Sequence, residues 1–195
     1  MKNIKVGNIF VSADRCKILM VTSIKKSEWK DNEIEIRYKE IEVGDYEGVS
    51  IYELSMEYDD FSRSFLQLLN DGIFEKVLEW IGSAFSEKRS LFLNAPMKTE
   101  TELKAGSCYI RKADRKEIVI IHTIGKKDLN CSYIDLTNPD DSNGTINYKI
   151  SDFSSAYSET EDDLYIKAQK IEDILYHKVK DLLHSLELNY VEDKA

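Results

Sequence analysis

Residues 5–24 read KVGNIFVSADRCKILMVTSI, and residues 104–124 read KAGSCYIRKADRKEIVIIHTI. With Lys112 taken as a one-residue insertion the two stretches align. Identical pairs are Lys5/Lys104, Gly7/Gly106, Ala13/Ala113, Asp14/Asp114, Arg15/Arg115, Ile18/Ile118 and Ile24/Ile124. Seven identities over these positions exceed the roughly one or two that ordinary residue frequencies give. The match continues in order. Gly48–Leu54 (GVSIYEL) is similar to Gly144–Ile150 (GTINYKI), Asp60-Phe61-Ser62 answers Asp152-Phe153-Ser154, and Phe74–Leu78 parallels Ile171–Leu175. A repeat of about a hundred residues is too long for a solenoid unit, so the chain reads as a duplicated domain.

Each copy has the same plan. Ile9-Phe10-Val11 and Cys108-Tyr109-Ile110 read as short strands, and the Ala-Asp-Arg segment that follows is a turn, because Asp side chains bond nearby backbone N–H groups. Ile18–Ile24 and Ile118–Ile124 are β-branched runs suited to a strand buried on both faces. Ile34–Tyr38 alternates as a half-buried strand should, with its counterpart at Cys131–Leu136; Val49–Leu54 and Thr145–Ile150 supply a fourth strand. The period then changes. Phe61, Phe65, Leu68 and Leu69 fall at helical spacing, and Ile73-Phe74, Val77-Leu78 and Ile81 resume it with Asp71 as N-cap. In the second copy the acidic stretch Ser158–Asp163 leads into a long helix reaching about Leu188, with Leu164, Ala168, Ile171, Leu175, Leu182 and Leu186 as its apolar stripe. The expected organisation is a first barrel-plus-helix unit over 1–85, a linker over 86–103 and a second unit over 104–195.

The fold class is therefore α+β: two tandem copies of a small antiparallel barrel or curled sheet, each followed by helix. The Gly-x-x-aromatic opening, hairpin, buried strand and closing Asp-Phe over about 5–62 and 104–154 resemble small SH3-like β-barrels. Comparable modules occur in uncharacterised proteins of phages and other mobile elements. The resemblance implies a binding scaffold and carries over no catalytic residue.

Composition narrows the function classes. The chain has 27 Lys+Arg against 36 Asp+Glu, a net charge of −9. Residues 1–99 carry 14 basic and 17 acidic side chains (−3) and residues 100–195 carry 13 and 19 (−6), so neither half has the basic balance of a nucleic-acid backbone binder. The opening MKNIKVGNIF has neither a long apolar stretch nor a small-residue cleavage site, and no apolar run is long enough for a membrane span; neither a secretory signal nor a membrane anchor is expected. Cys16, Cys108 and Cys131 form no close pair, which fits reduced thiols in a cytoplasmic protein.

A search for chemistry finds no P-loop, Gly-x-Gly-x-x-Gly, Gly-x-Ser-x-Gly or His-Glu-x-x-His, so no cofactor, metal or catalytic residue is assigned. His122 sits in a buried-strand run and reads as a hydrogen-bonded structural histidine. Asp173, His177, Asp181 and His184 share a helix face; two turns between the histidines, about 10.5 Å, are too far for one ion, and a solvated face explains them. Cys16 has flanking Arg15 and Lys17 but no neighbouring histidine to activate it.

The residues expected to bind are Asp14, Arg15, Asp114 and Arg115 at the matched turn tips, with Trp29 and Tyr46 in polar loops, because Arg, Trp and Tyr anchor interfaces. The leading expectation is a non-enzymatic interaction protein with a protein partner, a symmetric one or a second copy of itself included. An acidic inhibitor that mimics nucleic-acid charge is the alternative, motivated by Glu57–Asp60 and Glu159–Asp163. An enzyme with its site assembled between the two units is a third.

Overall fold

A computed structural model describes residues 4–26, 33–44, 48–68, 72–98, 102–137 and 143–186. The elements in order are β1 (Ile9–Ser12), β2 (Lys17–Lys26), β3 (Ile34–Val43), β4 (Val49–Glu57), α1 (Tyr58–Ser64), β5 (Phe65–Leu68), α2 (Ile73–Asn94), β6 (Cys108–Arg111), β7 (Glu117–Ile124), β8 (Asp128–Asp135), β9 (Asn143–Lys149), α3 (Ile150–Ala156), β10 (Tyr157–Glu159) and α4 (Leu164–Ser185). The protein is α+β, with two five-stranded antiparallel sheets ordered β4-β3-β2-β1-β5 and β10-β6-β7-β8-β9.

The repeat is visible in backbone detail. Gly7 and Gly106 take left-handed φ angles of 86° and 85°, which a residue without Cβ adopts at no steric cost. Their N–H groups donate to Val21 O and Ile121 O, both at 2.8 Å. Arg15 and Arg115 are the two non-glycine residues with positive φ among those described, at 59° and 55°. The β2–β3 and β7–β8 ladders both slip one residue, between Val21 and Ser23 and between Ile121 and Thr123. That bulge corrects the expected burial of His122, while the expected hydrogen bond is present. His122 is the extra residue, so its ring leaves the buried run for solvent, where Nε2 lies 2.7 Å from Ser132 Oγ.

The sheets are not closed barrels. Among the described residues β4 and β5 are end strands, as are β9 and β10. Between the two end strands of each sheet the Asp-Phe-Ser segments form α1 and α3, whose Phe61 and Phe153 are fully buried. Phe61 lies 4.9 Å from Phe10, 5.1 Å from Tyr38 and 5.0 Å from Phe65, ring centre to ring centre. Phe153 lies 5.3 Å from Tyr109 and 4.4 Å from Tyr157. Each helix plugs the inside of its curled sheet with one aromatic ring.

The helical spacing of Phe61, Phe65 and Leu68 misled, because Phe65–Leu68 is the fifth strand, paired from Ile9↔Leu68 to Ser12↔Phe65. Leu69 and the expected cap Asp71 lie outside the described residues. The equivalent strand β10 pairs Tyr157 with Arg111, so the acidic stretch before α4 begins as strand and the helix starts at Leu164.

The chain divides into two compact units: residues 1–80 with 174–195, and residues 81–173. Both long helices therefore contribute to both units, and α2 continues to Asn94, through the first part of the stretch expected to link them. Each helix has 22 residues. Aligning them end to end superimposes buried Ile73 and Val77 on Leu164 and Ala168, and Lys88 and Phe92 on Val179 and Leu183. The local match of Phe74–Leu78 to Ile171–Leu175 is out of this register. In α4 the buried set after Ile171 is Tyr176, Val179 and Leu183, a face displaced from the expected Leu175, Leu182 and Leu186.

In the unit of residues 81–173, Ile110, Ile118 and Ile134 on one sheet face pack with Phe92, Ala95, Leu164 and Ala168 from the helices, while Tyr109, Val119, Ile121 and Cys131 pack around Phe153 on the other. In the first unit, Phe10, Leu19, Val21, Ile36 and Tyr38 pack around Phe61 in the same way. Lys88 Nζ and Glu172 Oε1, 9 % and 13 % exposed, form an ion pair at 2.6 Å. Among the described residues no helix is long and apolar enough to cross a membrane.

Candidate functional site

The matched Ala-Asp-Arg turns were expected to present Asp14, Arg15, Asp114 and Arg115 to a partner. Both aspartates serve the turn itself. Asp14 Oδ1 accepts from Ser12 Oγ and from the Cys16 N–H at 3.0 Å, and these bonds hold its carboxyl below the usual carboxylate range. Asp114 accepts from Arg111 Nε at 2.9 Å, Arg111 Nη2 at 3.1 Å and the Lys116 N–H at 3.1 Å. Burial raises its pKa, but these donors outweigh burial and the net shift is downward.

Both arginines reach a helix C-terminus. Arg15 Nη1 donates to His184 O at the end of α4; Arg115 Nη1 donates to Leu93 O and, at 3.1 Å, to Ala95 O at the end of α2. A cation on the last carbonyls of a helix satisfies orphan acceptors and offsets the negative end of the helix dipole. Trp29 and Tyr46 lie outside the described residues.

Beside Arg115 opens a cleft of about 170 Å³. Its apolar wall is Phe85, Leu93 and Leu136, with Leu93 half exposed at 50 %. Its charged lining is Arg89, Asp114, Arg115 and Lys116. Among the described residues the exposed side chains of Arg89 and Lys116 form no hydrogen bond or ion pair. Two other clefts among the described residues differ in this respect. In the one of about 270 Å³ near Pro96, Lys167 is held by Glu161 at 3.2 Å and Asp163 at 3.0 Å. In the one of about 510 Å³ at the bulge of β2, Lys39 meets Glu53 at 3.4 Å and Arg37 meets Glu35 at 3.0 Å.

The first unit carries the same positions with different chemistry. The helix register equates Phe85, Arg89 and Leu93 with Tyr176, Lys180 and His184. The turn equates Lys116 with Cys16, and the bonds Leu136 N–H to Lys116 O (2.7 Å) and Val43 N–H to Cys16 O (2.8 Å) equate Leu136 with Val43. There Lys180 Nζ is held by the Tyr176 hydroxyl at 3.0 Å, 5.1 Å from that ring's centre. The arginine cap is common to both turns, whereas two cations without an ion pair among the described residues belong to the second.

Further polar clusters among the described residues are held internally. Buried Glu117 accepts from the hydroxyls of Tyr148 and Tyr157 and from Arg111 Nη1 at 2.8 Å. Burial, then the bond to Glu117, pushes both tyrosine pKa values far up, so the phenols remain donors locked on the carboxylate. Its counterpart Lys17 pairs with Glu40 at 2.9 Å and Glu42 at 3.2 Å. Burial raises the Cys108 thiol and pushes Cys131 up to about 11, which keeps both protonated and inert. The acidic runs are partly paired: Asp60 with Arg63 at 3.0 Å, Glu159 with Lys98 at 2.6 Å, and Glu161 and Asp163 with Lys167.

No protein-family model, curated protein or solved structure matches the chain.

Sequence reading missed Arg89, Leu93 and Lys116. Arg89 and Leu93 fall in the stretch expected to be linker, and Lys116 drew notice only as the counterpart of Cys16. The available signal was the substitution itself: at one turn tip the duplicated motif ends Arg-Cys and at the other Arg-Lys.

Proposed function

We propose that this is a cytoplasmic, non-enzymatic interaction protein built on two SH3-like binding units, and that its recognition surface is the cleft beside Arg115. The strand order, alike in both sheets, supports the SH3-like reading, and three free thiols accord with a reducing compartment. The observation that carries the proposal is the pair Arg89 and Lys116. In a chain of net charge −9, two exposed cations beside half-exposed Leu93 form no hydrogen bond or ion pair among the described residues, although Lys116 feels the charge of Asp114. Interfaces combine an apolar anchor with a polar rim in this way. Arg115 fixes the helix end that forms the wall, and Arg89 and Lys116 meet the partner.

The test is quantitative affinity capture from the native host with the full chain and with R89E/K116E. A partner retained by the wild type and depleted at least about tenfold on the variant, with thermal midpoints within about 2 °C for such exposed positions, is the expected result. The same proteins captured by both, or none by either, removes the proposal.

A further inference from the structure

Resting on that reading, we infer that the cleft takes an acidic peptide segment of its partner, with one Asp or Glu carboxylate between Arg89 and Lys116 and a neighbouring apolar side chain against Leu93 and Phe85.

Size comes first. About 170 Å³ is well below the roughly 300–1,000 Å³ of small-molecule sites, so the cleft admits a side chain and not a whole metabolite. Charge decides which side chain. Among the described residues the cations lining the cleft are Arg89, Arg115 and Lys116, and its lining anion is Asp114, whose carboxylate Arg111 holds at 2.9 and 3.1 Å. That excess of positive charge favours an anionic side chain in the cleft. The Leu93 and Ala95 carbonyls, which would repel an anion, are covered by Arg115. Finally, Leu93 is 50 % exposed on the last turn of α2, an apolar surface beside the cations that a lone ion would leave uncovered.

Display of random twelve-residue peptides against the immobilised full chain, followed by fluorescence anisotropy on the enriched sequences, tests this. The expected winners place Asp or Glu next to a bulky apolar residue. Their binding falls at least about tenfold when that acid becomes Asn or Gln, and again with R89E/K116E or the milder R89Q/K116Q; far-UV circular dichroism checks that both variants fold. Absence of enrichment, winners without an acid, or equal binding by the variants overturns the inference. So does at least about tenfold tighter binding of a peptide carrying phosphoserine in place of the acid. If peptides fail while host capture still depends on Arg89 and Lys116, the interaction reading stands and the acidic-peptide chemistry falls. If both fail, so does the reading beneath.

Discussion

Arg15 donates from Nη1 to the carbonyl oxygen of His184, 169 residues further along the chain, while holding a left-handed φ of 59°. Arg115 does the same for Leu93 at φ 55°. The duplicated turn is thus a helix cap delivered from a distance.

Removing the guanidinium should be felt in stability. Arg15→Ala and Arg115→Ala are each expected to cost about 1–2 kcal/mol in urea unfolding, from the lost charged hydrogen bond to a helix end. Arg15→Gly loses the same bond but relieves the positive φ, so it should cost about 1 kcal/mol less than the alanine variant. Glycine variants as unstable as the alanine ones would show that the backbone at the turn tip is unstrained.

Phe61 and Phe153, both fully buried, sit on the short helices between the end strands of the two sheets. Either Phe→Ala substitution should destabilise by about 3–5 kcal/mol, read by calorimetry. Phe→Leu keeps most of the volume and should cost much less. Equal losses for Ala and Leu would shift the weight from filling the space to ring-specific contacts.

The Lys88–Glu172 pair invites a double-mutant cycle. Lys88→Met alone leaves a carboxylate 13 % exposed with its ion-pair partner removed, and is expected to cost about 3–5 kcal/mol. Lys88→Met with Glu172→Leu should recover most of that, because two apolar side chains replace two desolvated charges. Additive losses would show that the two charges are not coupled.

Stability should fall in alkali. Cys131, Tyr148 and Tyr157 have folded-state pKa values above their unfolded values, so above the unfolded pKa the unfolded chain binds fewer protons than the folded one. Their contribution is fully present below the unfolded pKa and is lost as pH rises: for Cys131 between the ordinary thiol value of 9.0 and about 11, for the tyrosines from 10.0 upward. Tyr148→Phe with Tyr157→Phe should flatten the decline above pH 10, measured as urea midpoints against pH. At pH 8 a thiol reagent should label partly exposed Cys16 first and buried Cys108 and Cys131 only on unfolding.

The sequence was most legible where period and repeat agreed. Alternation at Ile34–Tyr38 and the apolar run from Ile18 marked real strands, and aligning Ala-Asp-Arg with Ala-Asp-Arg located turns that share even their positive φ. It was least legible where tertiary partners decide. Phe65 and Leu68 are three apart, a spacing that suits one helical turn and also a short strand whose register only β1 can fix. His122 looked buried because a bulge is invisible to hydropathy. The duty of Arg15 depends on a carbonyl 169 residues away, which no local pattern reports. Arg89 lay in a segment whose polarity suggested a linker, although its helix continues to Asn94.

The division of α4 makes the two units unequal in how the chain builds them. The unit of residues 81–173 is one unbroken stretch, whereas the unit that contains the N-terminal sheet joins two stretches separated by the whole of the other. A cut in the chain near residue 173 would therefore divide the one unit and leave the other covalently continuous.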